Sequence, residues 1–222
     1  MLFRSCVGHA SELPRPGDFR VTRIGLQSVI MVHGADGEVR VLMNRCRHRG
    51  VSLTESESGN QKHFVCPYHG WAYDSSGKNV DIKDRAAGAY APAFDAENHD
   101  LLPVAKVASY KGMIFGCLSA DAPDLETHLG DLRFFLDLHM DQGEHGMEVI
   151  PGRALYSYRG NWKMQMENGQ DAYHFSSTHA SLVDLQQKRL AQGKGNTDAR
   201  SFDIKKRASM IGGTFEIGRA HV

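Results

Sequence analysis

Through the first half of the chain the apolar positions come in short runs broken by glycine and polar turn residues, whereas apolar spacings of three and four appear only after Pro123. Pro14, Pro16 and Gly17 mark a turn, and from Phe19 to Val41 the runs are separated by Gly25, Gly34 and Gly37. Val29-Ile30-Met31-Val32 and Val39 to Met43 read as two strands around an Ala35-Asp36-Gly37 turn, because β-branched runs bounded by Asp-Gly favour hairpins. The second of these strands delivers Cys46 at its end. Thr54 to Lys62 is polar and turn-rich, and His63-Phe64-Val65 makes a short strand running into Cys66. Tyr73 to Lys78 reads as another hairpin, and Tyr110 to Leu118 as a final apolar run that closes a small β domain. Arg85 to His99, with Gly88, Pro92 and no clear period, is expected to be a long loop. None of this stretch calls for a helix.

After Pro123 the texture changes. Asp124 to Met140 places Leu125, Leu129, Leu132, Phe135, Leu136 and Met140 on one face of an amphipathic helix. Met147 to Tyr158 reads as a strand, and a domain boundary is expected near Ala120 to Pro123. There is no internal repeat and no low-complexity segment. Gly193-Lys194-Gly195-Asn196 is too short and isolated for a phosphate loop and reads as a flexible surface turn.

Composition narrows the classes. The chain has 222 residues, 41% hydrophobic and 23% charged, ordinary values for a globular protein. Lys plus Arg equals Asp plus Glu, so no basic excess points to nucleic acid. No apolar run reaches the length of a membrane span, and Met1 to Glu12 lacks the apolar core of a signal peptide, so the expected compartment is the cytoplasm. In that reducing setting Cys6 and Cys117 read as small buried hydrophobes rather than a disulfide.

The other two cysteines sit in a different kind of pattern. Cys46-Arg47-His48-Arg49-Gly50 and Cys66-Pro67-Tyr68-His69-Gly70-Trp71 each offer one thiolate and one imidazole, and seventeen residues separate His48 from Cys66. Two thiolates and two imidazoles suit tetrahedral zinc, or a 2Fe-2S cluster in which two Cys hold one iron and two His the other. Zinc fingers usually pair Cys with Cys and His with His, whereas here each loop would feed both irons. The stretch resembles the Rieske motif, C-x-H-x(15 to 17)-C-x-x-H, including Arg49-Gly50 after the first pair and Pro67 and Gly70-Trp71 around the second. The resemblance implies a Rieske 2Fe-2S cluster held by Cys46, His48, Cys66 and His69, with a higher potential than a four-Cys ferredoxin.

A second constellation begins at Asn161-Trp162-Lys163 and carries Glu167, Asn168, Asp171, Tyr173, His174 and His179. On a straight helix the two His, five steps of about 100° apart, would diverge by about 140° and could not share a metal. Ser176, Ser177 and Thr178 lie between them, and such residues bend helices by bonding back to carbonyls. A bent segment brings both imidazoles to one iron, leaving a carboxylate to complete a two-His, one-carboxylate site for Fe(II) and dioxygen. The run N-W-K-x-x-x-E-N-x-x-D-x-Y-H-x-x-x-x-H resembles the catalytic signature of the α subunit of Rieske non-haem iron ring-hydroxylating oxygenases. With the Rieske motif upstream in the same order, the resemblance covers nearly the whole chain.

What the resemblance implies is specific. His174 and His179 are the two iron ligands, and Asp171 bridges, across a subunit boundary, His69 of one chain and His174 of the next. Glu167 and Asn168 support the iron site, while Tyr173, Trp162 and Trp71 are packing residues. The fold is α+β: an antiparallel β Rieske domain over residues 13–120, after a remnant lead segment 1–12, then the first part of an α+β (helix-grip, START-like) catalytic domain over 121–215. Electrons come from NAD(P)H through a separate reductase, with or without a ferredoxin. The assembly is a homotrimer or an α3β3 complex with a small β subunit. The substrate is an arene, dihydroxylated by O2 in aromatic hydrocarbon catabolism. Lys83-Asp84, Gly88-Ala89-Tyr90, Phe94-Asp95, Ala108 to Gly112 and Glu167-Asn168-Gly169 resemble the benzoate, toluate and anthranilate branch, which implies an aromatic carboxylate.

In the family the third iron ligand is an Asp far downstream, yet only 43 residues follow His179. Asp184, Asp198, Asp203 and Glu216 lack the expected context and read as solvated carboxylates. The chain is therefore expected to be a fragment, truncated at the C-terminus and also at the N-terminus before Leu2-Phe3-Arg4-Ser5. Residues 216–222 match the in-frame translation of a common sequencing adapter and are expected to be non-native, His221 included. Two other functions use part of the same equipment: a Rieske-type monooxygenase or O-demethylase, and a stand-alone Rieske electron carrier, which would leave His174 and His179 without a purpose.

Overall fold

A computed structural model describes residues 5–152, 156–171 and 173–193. The chain divides into two compact units, residues 1–152 and 153–222.

The first unit holds three antiparallel sheets. Their strands are β1 (Ser5–His9), β2 (Asp18–Ile24), β3 (Gln27–His33), β4 (Val39–Met43), β5 (Ser58–Asn60), β6 (His63–Val65), β7 (Ala72–Asp74), β8 (Asn79–Asp81), β9 (Lys106–Tyr110) and β10 (Met113–Cys117). The orders are β4-β3-β2-β5, β6-β7-β8 and β1-β10-β9. The expected hairpin around Asp36 is present as β3 and β4, closed by Gly34 N donating to Glu38 O at 2.8 Å and by the Arg40–Asp36 ion pair. Val29 to Val32 are all buried. β3 is apolar without alternation because it lies between two cores and fills both. Ile30 and Val32 join Phe19, Leu42, Phe64 and Tyr73 in one core, which also takes in Cys46, Cys66 and Trp71. Val29 and Met31 join Val7, Ile24, Val41 and Ile114 in the other.

β9 and β10 meet in a two-residue turn, Lys111-Gly112, with positive φ at both positions (50° and 83°). Such a turn matches the right-handed twist of the strands it joins. The single helix expected over Asp124–Met140 is broken at Gly130, φ 50°, into α2 (Leu125–Leu129) and α3 (Leu132–Met140), which pack Leu125, Leu129 and Leu136 against Phe115 of β10. The first compact unit therefore runs on past the texture change near Ala120 to Pro123.

Three further expectations are corrected. Arg85–His99 is mostly loop, but Pro92–Asp95 forms one turn of helix, α1, with Pro92 in its first turn, where a missing N–H costs nothing. Cys6 is exposed, not buried: Val7 takes the inward position at a β-bulge in the β1–β10 pairing. The expected strand over 147–158 has no ladder among its described residues. Met147, Val149 and Ile150 lie exposed without a partner strand among the described residues, and Val149 N donates to Ser11 Oγ. Cys117 is buried and, like Cys6, a free thiol.

Among its described residues the second unit forms the helices α4 (Trp162–Gln170), α5 (Phe175–Thr178) and α6 (Ala180–Ala191). Among the described residues no helix is long and apolar enough to cross a membrane. Residues 194–222, which hold the expected Gly193–Asn196 turn beyond its first residue, Asp198, Asp203, Glu216 and the tail 216–222, lie outside the described residues, as do Leu2 to Arg4.

Candidate functional site

β4 runs into one loop and β6 into another, and the two loops share one backbone frame. In the first, Cys46 N donates to Val51 O at 2.9 Å and Gly50 N donates to Cys46 O at 3.0 Å. In the second, Cys66 N donates to Trp71 O at 2.8 Å and Gly70 N to Cys66 O at 3.0 Å. Gly50 and Gly70 occupy equivalent positions at φ 76° and 73°, where a side chain is strained, so each loop turns on a glycine. Within this common frame His48 stands two residues after its cysteine and His69 three. The offset brings the rings face to edge, with the two Nδ1 atoms 3.1 Å apart.

The donors thus fall into two pairs. Cys46 and Cys66 are buried, each 3% exposed, while His48 is exposed. Burial pushes the Cys46 thiol up, the neighbouring Cys66 thiol adds to this, and the Tyr73 hydroxyl 3.3 Å away opposes it. Tyr73 O also accepts from Arg47 N at 3.1 Å, leaving its proton free for Sγ. Desolvation, then the nearby His48, Arg49 and Lys83 charges, hold His69 below the ordinary imidazole value.

The exits of the first loop are stapled by Asn44, buried, whose Oδ1 accepts from Leu53 N at 2.9 Å and whose Nδ2 donates to Thr54 O at 2.8 Å. His48 stacks on Trp71 (centroids 4.9 Å, 12° between planes), and Trp71 is itself packed edge-on by Phe94 and His99 from the long loop. Tyr73, Asn44 and His99 were not singled out from the sequence. Only the position of Tyr73, in the strand leaving the second loop, and of Asn44, two residues before Cys46, could have pointed to them.

The donor set can be tested against the two candidate occupants. Metal–nitrogen bonds of about 2.0–2.1 Å put two imidazole nitrogens on one ion roughly 3–3.4 Å apart, and the His48–His69 pair meets that requirement. Among the described residues, however, no three His, Cys, Asp or Glu side chains converge as a single ion requires. A thiol pair and an imidazole pair suit two irons, one per pair, better than one tetrahedral zinc.

In the second unit, α4 starts on Asn161, whose Oδ1 accepts from Lys163 N at 3.0 Å, and stops at Asp171, which takes an extended conformation. The Asp171 carboxylate accepts from Tyr173 N at 2.8 Å and from His174 Nδ1 at 2.9 Å. The bond from His174 holds the Asp171 carboxyl below its ordinary value, and it leaves the Nε2 face of His174 for a metal. Ser177 Oγ donates to His174 O at 2.9 Å, the back-bond expected of the Ser-Thr run. The helix is interrupted at His179, between α5 and α6, and the two imidazole centroids lie 5.2 Å apart. The chain therefore pairs His174 with Asp171 and sets the His174 ring beside that of His179. Glu167 and Asn168 lie exposed on α4, Trp162 and Tyr173 are exposed rather than packed, and Asp184 is exposed on α6.

Residues 3–110 match the family described as Rieske [2Fe-2S] domain, and residues 136–220 match the ring hydroxylating alpha subunit (catalytic domain). This chain belongs to the α-subunit family of Rieske ring-hydroxylating oxygenases. Among its Rieske oxygenase relatives, toluate 1,2-dioxygenase subunit alpha of Pseudomonas putida is 37% identical over 216 residues, 97% of this chain and 47% of that protein. Anthranilate 1,2-dioxygenase large subunit of Acinetobacter baylyi is 43% identical over 183 residues, 82% of this chain and 38% of that protein. Naphthalene 1,2-dioxygenase from a Rhodococcus species, solved bound to indole, superimposes with a TM-score of 0.74 at 38% identity, covering 82% of this chain and 42% of that one. The chain spans less than half the length of the curated Rieske oxygenase subunits it matches. The α+β class, with antiparallel sheets followed by helices, is that of the family.

Proposed function

We propose that Cys46, His48, Cys66 and His69 hold a Rieske 2Fe-2S cluster and that His174 and His179 are two ligands of a mononuclear Fe(II). On this reading the whole protein is the terminal oxygenase of an aromatic ring-hydroxylating dioxygenase. It works in the cytoplasm with NAD(P)H-derived electrons from a reductase, with or without a ferredoxin. When bound, the cluster supplies one-electron transfer and the iron supplies dioxygen activation. The observation that carries the reading is the pairing within the twin loops: two buried thiols and two imidazole nitrogens 3.1 Å apart.

The chain's own residues have distinct tasks. Tyr73 directs its hydroxyl at Cys46 Sγ, and Trp71 and Asn44 fix the loop geometry around it. Asp171 fixes the orientation and tautomer of His174, as carboxylates commonly do for metal-binding imidazoles. In a homotrimer or α3β3 assembly the same carboxylate receives His69 of the next subunit. Asn168 supports the iron site. Residues 13–120 form the Rieske domain and 121–215 the first part of the catalytic domain. The names of two relatives, acting on toluate and anthranilate, together with the Lys83–Asp95 and Ala108–Gly112 segments, support an aromatic carboxylate as substrate.

Iron and sulfide analysis with EPR of the dithionite-reduced chain tests the cluster: two irons per site and a Rieske-type signal are expected, and stoichiometric zinc without a signal overturns it. Product analysis on the intact protein, expected to give a cis-dihydrodiol, separates dioxygenation from the monooxygenase and demethylase outcomes.

A further inference from the structure

The two ligand imidazoles are capped differently. His48 lies against Trp71, a buried ring backed by Phe94 and His99. His69 lies against Tyr68, with ring centroids 3.9 Å apart and 33° between planes, and Tyr68 is 54% exposed. What backs Tyr68 is a cation: the Arg49 guanidinium stands over its ring, 5.6 Å from the centroid, within cation–π reach. Arg49 belongs to the first ligand loop and Tyr68 and His69 to the second, so the column Arg49, Tyr68, His69 also spans the two loops. Among the described residues Arg49 has no carboxylate within ion-pair distance, although Arg15, Arg20, Arg40, Arg85 and Arg133 all do. Its charge is therefore not cancelled by a neighbouring anion, and it lies no farther from the His69 ring than the two steps of the column together.

We propose that Arg49, seated on the Tyr68 ring, is a positioning residue that raises the reduction potential of the site by holding a positive charge against His69. The proposal rests on the reading of the twin loops as a Rieske site. An added electron makes the centre more negative, and a cation held nearby stabilises that state over the oxidised one. Place matters as much as sign. An arginine free to swing into water would lose most of its effect to solvent, and the aromatic face keeps the planar guanidinium in position. A higher potential eases the arrival of the electron and reduces the drive for its departure, so Arg49 sets how the available potential is divided between the two transfers.

The test is a spectroelectrochemical titration of the full chain with its cluster, in which reduced mediator dyes each give one electron to the oxidised site and no bond forms or breaks. Arg49 is exposed, so replacing it leaves the core intact. Arg49→Gln is expected to move the reduction equilibrium about threefold toward the oxidised form, or about 30 mV at 59 mV per tenfold for one electron, with unchanged EPR g values. Arg49→Lys keeps the charge and should show less than half of that shift, while Tyr68→Phe keeps the ring and should match the parent. In a Tyr68→Leu background the Arg49→Gln shift should shrink, because the seat is gone. Added salt should narrow the gap between parent and Arg49→Gln, as screening of an exposed charge requires. An unmoved potential in Arg49→Gln, an equal fall in Arg49→Lys, or g values that move with the potential overturns the proposal. Those failures leave the parent's Rieske signal in place, whereas its absence overturns the cluster reading and this proposal with it.

Discussion

Tyr73→Phe isolates one atom. The ring is 0% exposed in the main core and the substitution keeps it there. Burial and the Cys46 contact push the phenol well above its ordinary value, so the hydroxyl stays protonated at every working pH and remains a donor. Its removal deletes an O–H···S contact of 3.3 Å and the acceptor for Arg47 N at 3.1 Å. A hydrogen bond to a charged acceptor is worth about 1.5–3 kcal/mol, and this one is long. With the proposed cluster on Cys46, gaining an electron would make the sulfur more negative and strengthen the bond, so about 1 kcal/mol of it would discriminate the reduced from the oxidised form. With 59 mV per 1.4 kcal/mol for one electron, the potential is expected to fall by about 40 mV in Tyr73→Phe. Spectroelectrochemical titration with EPR detection reads the shift. A separate loss of about 1 kcal/mol in urea unfolding is expected from the orphaned Arg47 N–H. A lower stability with an unmoved potential would reduce Tyr73 to a packing residue and refute the reasoning.

Other substitutions test other parts of the structure. In the intact oxygenase Asp171→Asn retains an acceptor for His174 but loses the charge, and product formation is expected to drop about 10–100-fold with both metals still bound by iron analysis; full turnover would remove Asp171 from the electron path. Asp18 accepts from Asn60 Nδ2 at 2.8 Å and Arg15 N at 2.9 Å, and the Asn60 bond leads the effects that hold its carboxyl below the ordinary value. Its depressed value means that its stabilisation is complete above the unfolded carboxylate pKa of about 3.9 and disappears as pH falls through the folded one. The parent's advantage over Asp18→Asn in urea unfolding should therefore be steady near neutrality and vanish in acid; a gap that ignores pH would count against the carboxylate. Gly112→Ala puts a Cβ 2.3 Å from His9 Nε2 at φ 83° and is expected to cost about 1–3 kcal/mol, read as a lower thermal midpoint.

Local features were legible in the sequence and distant pairings were not. The Val29–Val32 and Val39–Met43 runs announce β3 and β4 because a strand between two cores must be apolar on both faces. The ligand spacings are legible because a loop of fixed frame needs a fixed count between Cys and His. The break at His179 is legible because Ser177 bonds back to His174 O. Cys6 was misplaced because its exposure depends on a bulge against β10, more than a hundred residues later in the chain, and nothing local records that register. Met147–Ile150 carries a strand's composition without a strand's partner. The aromatic packing of Phe94 and His99 on Trp71 was hidden because an aperiodic loop gives no sign of which surface it covers.

The twin loops have a mechanical consequence. Each is closed on itself by two backbone bonds, and the first is mounted on β4, which pairs with the buried Val29–Val32 run of β3. A centre held this way cannot relax much when its charge changes, because its dipoles are already fixed before the electron arrives. Stiffness, rather than the identity of the four ligands alone, is what suits such a site to passing charge quickly in both directions. The amides of Cys46, Gly50, Cys66 and Gly70 should accordingly be among the slow hydrogen exchangers, in loops that would ordinarily exchange fast.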